Sequence, residues 1–180
     1  DSTVDTLLNV RDRLVLENLE QAVAAICAAG RVEFYGFGAS AAVAFDAQHK
    51  FFRLQISSSA YSDPHLQNMS ATSLAAGDVV VAISQSGRTQ ALLDSMDLVK
   101  KAGGIVIGLA PSDSPVAQNA SIAIEVDAKE DIQIYTPLSS RIAHLAVIDV
   151  LAIGVAQKKG PSLEQHLQQL QAGLSSLRRS

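Results

Sequence analysis

The run Ser84-Gln85-Ser86-Gly87-Arg88-Thr89 has the residue types of an anion cradle: three hydroxyls, an amide and a glycine in six positions. Hydroxyls donate hydrogen bonds, and a glycine lets backbone N–H groups approach a ligand because no Cβ stands in the way. The run follows an apolar stretch ending at Ile83 and precedes the amphipathic segment Gln90 to Lys101, so the order reads strand, tight loop, helix. In a parallel α/β sheet such a loop lies at the carboxyl end of a strand, where N–H groups and the positive end of the next helix dipole meet. That point favours an anion. No lysine follows Gly87, so the P-loop pattern is absent and the chemistry points to a small phosphate ester rather than a nucleoside triphosphate.

A second loop, Gly36-Phe37-Gly38-Ala39-Ser40, joins an earlier strand to its helix. Its glycines echo a dinucleotide fingerprint, but the third glycine would fall on Ala41 and no acidic residue lies in Ile56 to Tyr61 to hold a ribose. No nicotinamide or other cofactor is expected. Taken singly, Ser40, Ser84 and Thr89 read as helix-capping residues. Two such loops leaving neighbouring strands are different, because their hydroxyls, with Gly38 and Ala39, can converge on one ligand at the strand ends.

The elements that would position these loops alternate. Apolar runs at Val32 to Phe37, Gln55 to Ser59, Val79 to Ser84, Ile105 to Ala110 and Ile122 to Val126 predict strands. Helical patterns at Ala39 to Phe52, His65 to Leu74, Thr89 to Lys101 and Ser114 to Asn119 separate them, each bounded by Gly, Pro, Asp or Ser. One amphipathic helix is predicted over Val4 to Ala28, ended by Gly30, and residues Lys129 to Leu138 read as a polar loop. Ser139 to Val155 is apolar nearly all round and must be covered on more than one side, by the domain or by a second copy in a homodimer. Gly160-Pro161 separates it from a last amphipathic helix, Ser162 to Leu177. The pattern predicts a three-layer α/β/α sandwich around a five-stranded parallel sheet of the flavodoxin or Rossmann type.

Composition narrows the function. At 180 residues and 48% hydrophobic, the chain suits one domain over 1–180 and is too short for two. A net charge of −4 repels nucleic acid, and 4% aromatic residues leave few stacking platforms, so direct DNA binding is not expected. The single cysteine, Cys27, rules out an internal disulfide framework and fits a cytoplasmic setting. No apolar run is read as reaching the ~20 residues that a membrane span needs. The four histidines are scattered without a His-x-x-x-His spacing, and no metal site is expected. The chain begins Asp1-Ser2-Thr3 without a methionine and reads as a piece of a longer protein.

Gly-x-Gly-x-Ser at Gly36 to Ser40, paired with Ser-x-Ser-Gly-x-Thr at Ser84 to Thr89, resembles the sugar isomerase (SIS) domain over nearly the whole chain. The stretch Ile134 to Leu145, Ile148-Asp149-Val150-Leu151, and Tyr61-Ser62-Asp63-Pro64-His65 resemble the effector domain of RpiR-type transcription regulators, nearest to those of hexose catabolism. The resemblance implies a phosphosugar site: Ser84, Gln85, Ser86, Gly87 and Thr89 around the phosphate, Ser40 near the sugar, and Ser139 or Ser140 closing it. It implies a phosphorylated sugar acid as effector, 2-keto-3-deoxy-6-phosphogluconate of the Entner-Doudoroff route, whose binding releases DNA from an amino-terminal helix-turn-helix domain not visible in this sequence. Since that ligand carries a carboxylate, Arg88 or Arg141 becomes its bidentate partner.

An aldose-ketose isomerase would further need a general base. His144, Asp149, His49, Asp63, His65 and Glu130 are the available groups, with Glu130 and Asp131 in the polar loop. SIS isomerases are expected to carry a glutamate along the region where this chain has Leu151-Ala152-Ile153-Gly154-Val155. The phosphate-binding half is present and the acid–base half is thin, so the reading is a sensor with no catalytic residues.

Overall fold

The computed structural model describes residues 2–128, 138–175 and 177. The five apolar runs form strands β1 (Val32–Tyr35), β2 (Ser58–Tyr61), β3 (Val79–Ile83), β4 (Ile105–Ala110) and β5 (Ile122–Glu125), all parallel and ordered β2-β1-β3-β4-β5. Strands β1 and β3 are buried along their whole length, as apolar strands covered on both faces must be, whereas the edge strand β2 is half-exposed. Successive side chains of β3 point to opposite faces. Val79, Val81 and Ile83 join the core beneath α2 (Leu16–Ala28), α3 (Ala39–Arg53) and α7 (Ser139–Lys159). Val80 and Ala82 join the core beneath α4 (Pro64–Thr72), α5 (Gln90–Lys101) and α6 (Pro115–Asn119). Helix α1 (Ser2–Arg13) lies against α7, and α8 (Pro161–Ser175) follows it with only Leu163 buried. The three-layer α/β/α sandwich read from the sequence is the fold.

Three expectations need correction. The helix predicted over Val4 to Ala28 is two helices, broken at Leu14-Val15 with no glycine or proline to announce it. The break lets α1 and α2 each lay an apolar face on α7, through Val10 on the first and Ala22 and Ile26 on the second. Strand β2 begins at Ser58 rather than Gln55, because α3 ends in a Schellman turn. The N–H of Gln55 donates to the carbonyl of Phe52 at 3.2 Å and that of Ile56 to Phe51 at 3.1 Å, with Gln55 left-handed at φ 57°. Finally, α7 is 21 residues long and apolar enough by length and composition to cross a bilayer, contrary to the reading of the runs. Here it packs as a core helix against α1, α2 and α3, burying Ala143, Val147, Ile148, Leu151 and Val155. The polar loop expected at 129–138 lies outside the described residues except for Leu138.

Candidate functional site

The order β2-β1-β3-β4-β5 reverses direction between β1 and β3, and at such a switch point the loops leaving the two strands part to open a crevice. A cavity of about 110 Å³ lies there. The β1–α3 loop contributes Phe37, Ala39 and Ser40 to it, and the end of β3 with its following loop contributes Ile83, Ser84, Gln85, Ser86 and Thr89. None of these eight side chains carries a charge. The two glycine loops therefore do converge, and of the residues singled out by sequence Ala39, Ser40, Ser84, Gln85, Ser86 and Thr89 face one space.

Local geometry separates the roles that capping had blurred. The N-cap of α3 is Gly38, at φ 55°, so Ser40 stands inside the helix and its hydroxyl is not the cap. Thr89 occupies the N-cap position of α5, but its side chain makes no capping hydrogen bond. Ser84 is buried, and its Oγ accepts the N–H of Gly87 at 2.9 Å, which folds the loop over and leaves the hydroxyl proton to donate. Ser86 Oγ accepts the N–H of Arg88 at 3.3 Å. Gly36 must be glycine, because a Cβ would lie 2.6 Å from the Ser40 carbonyl oxygen. Gly87 must be glycine for a second reason as well as a steric one, since it sits at φ 65°.

The electrostatics suit an anion. Helices α3 and α5 both begin at the cavity, neither has an acidic residue in its first turn, and both end in basic residues: Lys50 and Arg53, Lys100 and Lys101. Two positive dipole ends therefore reach the same space, and among the described residues no carboxylate lines it. The volume matches a phosphoryl group rather than a whole sugar phosphate, for which pockets of roughly 300 Å³ or more are usual.

Other expected residues stand apart. Arg88 is exposed beyond the loop, with its backbone inside it. Ser139 and Ser140 are buried in the first turn of α7, Ser139 Oγ lies 3.2 Å from Thr3 Oγ1 of α1, and Arg141 is exposed; none of the three lines the cavity. The acid–base candidates are dispersed. His49 and His65 are exposed, Asp63 caps α4 by accepting the N–H of Leu66 at 2.9 Å, and His144 is buried in α7. Asp149 pairs with Lys50 at 3.0 Å, a hydrogen bond that raises the lysine's pKa. Glu130 and Asp131 lie outside the described residues. Phe37 and Ile83 were not singled out by sequence; their only signal is that they adjoin the two loops.

Comparison with known proteins gives a consistent picture. The SIS domain profile matches residues 25–154. The bifunctional protein glk of Burkholderia thailandensis is 44% identical over 165 residues, covering 91% of this chain and 26% of glk. The HTH-type transcriptional regulator HexR of Pseudomonas aeruginosa is 38% identical over 173 residues, covering 96% of this chain and 61% of HexR. The chain thus spans about a quarter of the first relative and about three-fifths of the second. Among solved structures, Vibrio vulnificus NanR complexed with ManNAc-6P superposes with a TM-score of 0.91 at 23% identity, over 99% of this chain and 68% of NanR, a likeness of fold.

Proposed function

This chain belongs to the SIS domain family, and on that premise we propose that it is the effector-sensing domain of a transcriptional regulator of hexose and central carbon catabolism. It binds a phosphosugar with the phosphate in the cavity between the β1–α3 and β3–α5 loops. The observation that carries this reading is the convergence of Ser40, Ser84, Gln85, Ser86 and Thr89 on one uncharged cavity at two helix starts. Such a set binds by hydrogen bonding and has no carboxylate or imidazole to move a proton, which favours sensing over isomerisation. Relatives named as a regulator and as a sugar-phosphate complex support the same direction.

The effector we favour is 2-keto-3-deoxy-6-phosphogluconate. Its phosphate takes the cavity, Ser139 or Ser140 closes over it, and Arg88 or Arg141 meets its carboxylate. Binding releases DNA from a separate helix-turn-helix domain, and the protein works in the cytoplasm. Residues 1–180 act as one domain, and two copies associate through α7 and α2. The outer face of α7 leaves Ile142, Val150 and Ile153 exposed, and with Leu16, Leu19 and Val23 of α2 it borders a groove of about 710 Å³. An exposed apolar surface of that kind suits a second copy.

Calorimetric titration tests the reading, with 2-keto-3-deoxy-6-phosphogluconate as ligand and gluconate 6-phosphate and fructose 6-phosphate as comparators. Selective binding with the ligand recovered unchanged is the expected result. A converted ligand would make the domain an isomerase, and no binding at all would make it a structural module. Ser84→Ala should weaken binding about tenfold with the fold intact, since it removes both a donor and the acceptor that closes the loop.

A further inference from the structure

The turn between β4 and α6, Pro111–Ser114, touches the phosphate-binding loop on one side and reaches α1 on the other. On the loop side, the N–H of Val116 donates to the Gly87 carbonyl at 3.0 Å. Gly87 lies so close to the turn that a Cβ there would stand 2.2 Å from Ser114 Oγ. Ser114 is itself buried and fixed, its Oγ accepting the N–H of Ala117 at 3.3 Å. On the other side, Ser112 donates to Asp127 from its N–H at 2.9 Å and from its hydroxyl to both carboxylate oxygens, at 3.0 and 2.9 Å. Asp127 then pairs with Arg13 Nη1 at 2.8 Å, and its carbonyl accepts from Asn9 Nδ2 at 3.3 Å. Arg13 and Asn9 both belong to α1. Between the two anchored sides Asp113 is left-handed at φ 58°, a conformation that aspartate accepts in turns more readily than most non-glycine residues.

We infer that the Pro111–Ser114 turn positions the phosphate-binding loop and that Asp127 ties the turn to α1, so that occupancy of the cavity is felt at the first helix. The inference rests on the phosphate-site reading and adds a route to it. Ser114 and Asp127 are positioning residues, since neither lines the cavity. By linkage, whatever firms the grip of Asp127 on α1 also firms the grip of the loop on its anion.

Amide hydrogen exchange across the 180-residue chain tests this, with inorganic phosphate as the probe and four proteins: the parent, Asp127→Ala, Asp127→Asn and Asn9→Ala. Without phosphate, Asp127→Ala should speed exchange about threefold or more at residues 84–89 and in α1, with β1 and β3 unchanged, a size ordinary for residues that modulate coupling. Asp127→Asn keeps an oxygen for Ser112 and loses the ion pair, so it should restore 84–89 and leave α1 loosened. With saturating phosphate, α1 of the parent should gain protection, and Asp127→Asn should lose that gain while its affinity stays within about threefold of the parent. Parent-like exchange at 84–89 in Asp127→Ala overturns the positioning role, as does loosening spread evenly over the chain. An α1 response surviving in both Asp127→Asn and Asn9→Ala, which removes the donor to the Asp127 carbonyl, overturns the link. Failure of phosphate to protect 84–89 in the parent would instead sink the phosphoryl reading of the cavity, and the phosphate-free arm would still decide the positioning role.

Discussion

The two ends of the sheet handle polar groups in opposite ways. Towards the amino ends of the strands, charge is concentrated and closed off. Glu33, wholly buried on β1, accepts the Tyr35 hydroxyl at 2.7 Å and the Ser70 hydroxyl at 2.6 Å, and Arg31 Nε stands 3.3 Å from its Oε1. Asp78, one residue ahead of β3, accepts backbone N–H groups from Arg31 at 3.0 Å and Ala75 at 2.8 Å. At the carboxyl ends, the cavity is lined by neutral groups and is open. The contrast teaches that titratable residues do not by themselves mark a site. Here they fasten α4 to β1, while the described groups facing the cavity are neutral hydrogen-bonding groups.

The largest effect should come from the closed end. Glu33→Ala removes the acceptor of the buried Tyr35 hydroxyl and of the half-buried Ser70 hydroxyl, and two hydrogen bonds to a charged acceptor, at about 1.5–3 kcal/mol each, put the loss at about 3 kcal/mol or more; Arg31, partly exposed, adds little. Urea unfolding should show that loss while the folded protein keeps its phosphosugar affinity within about twofold, since distant sites act nearly independently. An affinity loss of tenfold would mean that the two ends are one unit and that the comparison fails.

Gly87→Ala should do the converse. The new methyl would stand 2.2 Å from Ser114 Oγ on a backbone at φ 65°, so the loop must shift. We expect a stability loss of about 1–3 kcal/mol with phosphosugar binding reduced beyond tenfold. Unchanged affinity in calorimetry would show that the loop tolerates displacement and that the cavity is not the phosphate site.

The sequence made the open end legible because its signals are local. Strand, glycine loop and helix follow one another within Val79 to Lys101, and the two loops needed only a parallel sheet to bring them together. The closed end was not legible, since Glu33 meets Ser70, and Gln67 meets Ser95, only when α4 and α5 fold over β1, and each looks ordinary in its own segment. The same holds for Asp127, which is separated from Arg13 by 114 positions and meets it through tertiary packing. The missed helix break at Leu14-Val15 is a case where packing on α7 overrides a continuous helical pattern. Ser139, Ser140 and Arg141 lay beyond the reach of spacing arguments, because their placement depends on how α7 enters the fold.

A smaller and pH-specific effect sharpens the closed end. Burial, followed by the hydrogen bond to Glu33, raises the Tyr35 phenol well above its ordinary value near 10. Below pH 10 the phenol is protonated in folded and unfolded chains alike, and its contribution to stability is full. As the pH climbs past 10 the unfolded chain ionises first, so stability falls by up to about 1.4 kcal/mol per pH unit from this group. Tyr35→Phe should cost about 1 kcal/mol at neutral pH and flatten the alkaline fall. Denaturation midpoints from pH 8 to 12 decide it; parallel curves for parent and variant would show that burial beside Glu33 does not hold the phenol protonated.

The smallest effect is expected at Gln55, which shares a left-handed backbone with Asp113 but sits at the opposite end of α3 from the cavity. Its conformation closes a Schellman turn whose apolar partners, Phe51 and Ile56, are buried in the core, and Lys159 Nζ donates to its carbonyl at 3.0 Å. A non-glycine residue there costs about 1–2 kcal/mol, and glycine's extra freedom in the unfolded chain returns part of it, so Gln55→Gly should gain about 0.5–1 kcal/mol. Ligand affinity should not move, because nothing at this turn touches either strand-end loop. Asp113→Gly relieves less strain, since aspartate tolerates the left-handed region, but it loosens the turn that braces Gly87, so it should stabilise little or not at all and weaken binding. If the two substitutions behave alike in both stability and affinity, the left-handed residue at the open end is only a loop detail, and bracing of the phosphate loop by that turn is lost as an explanation.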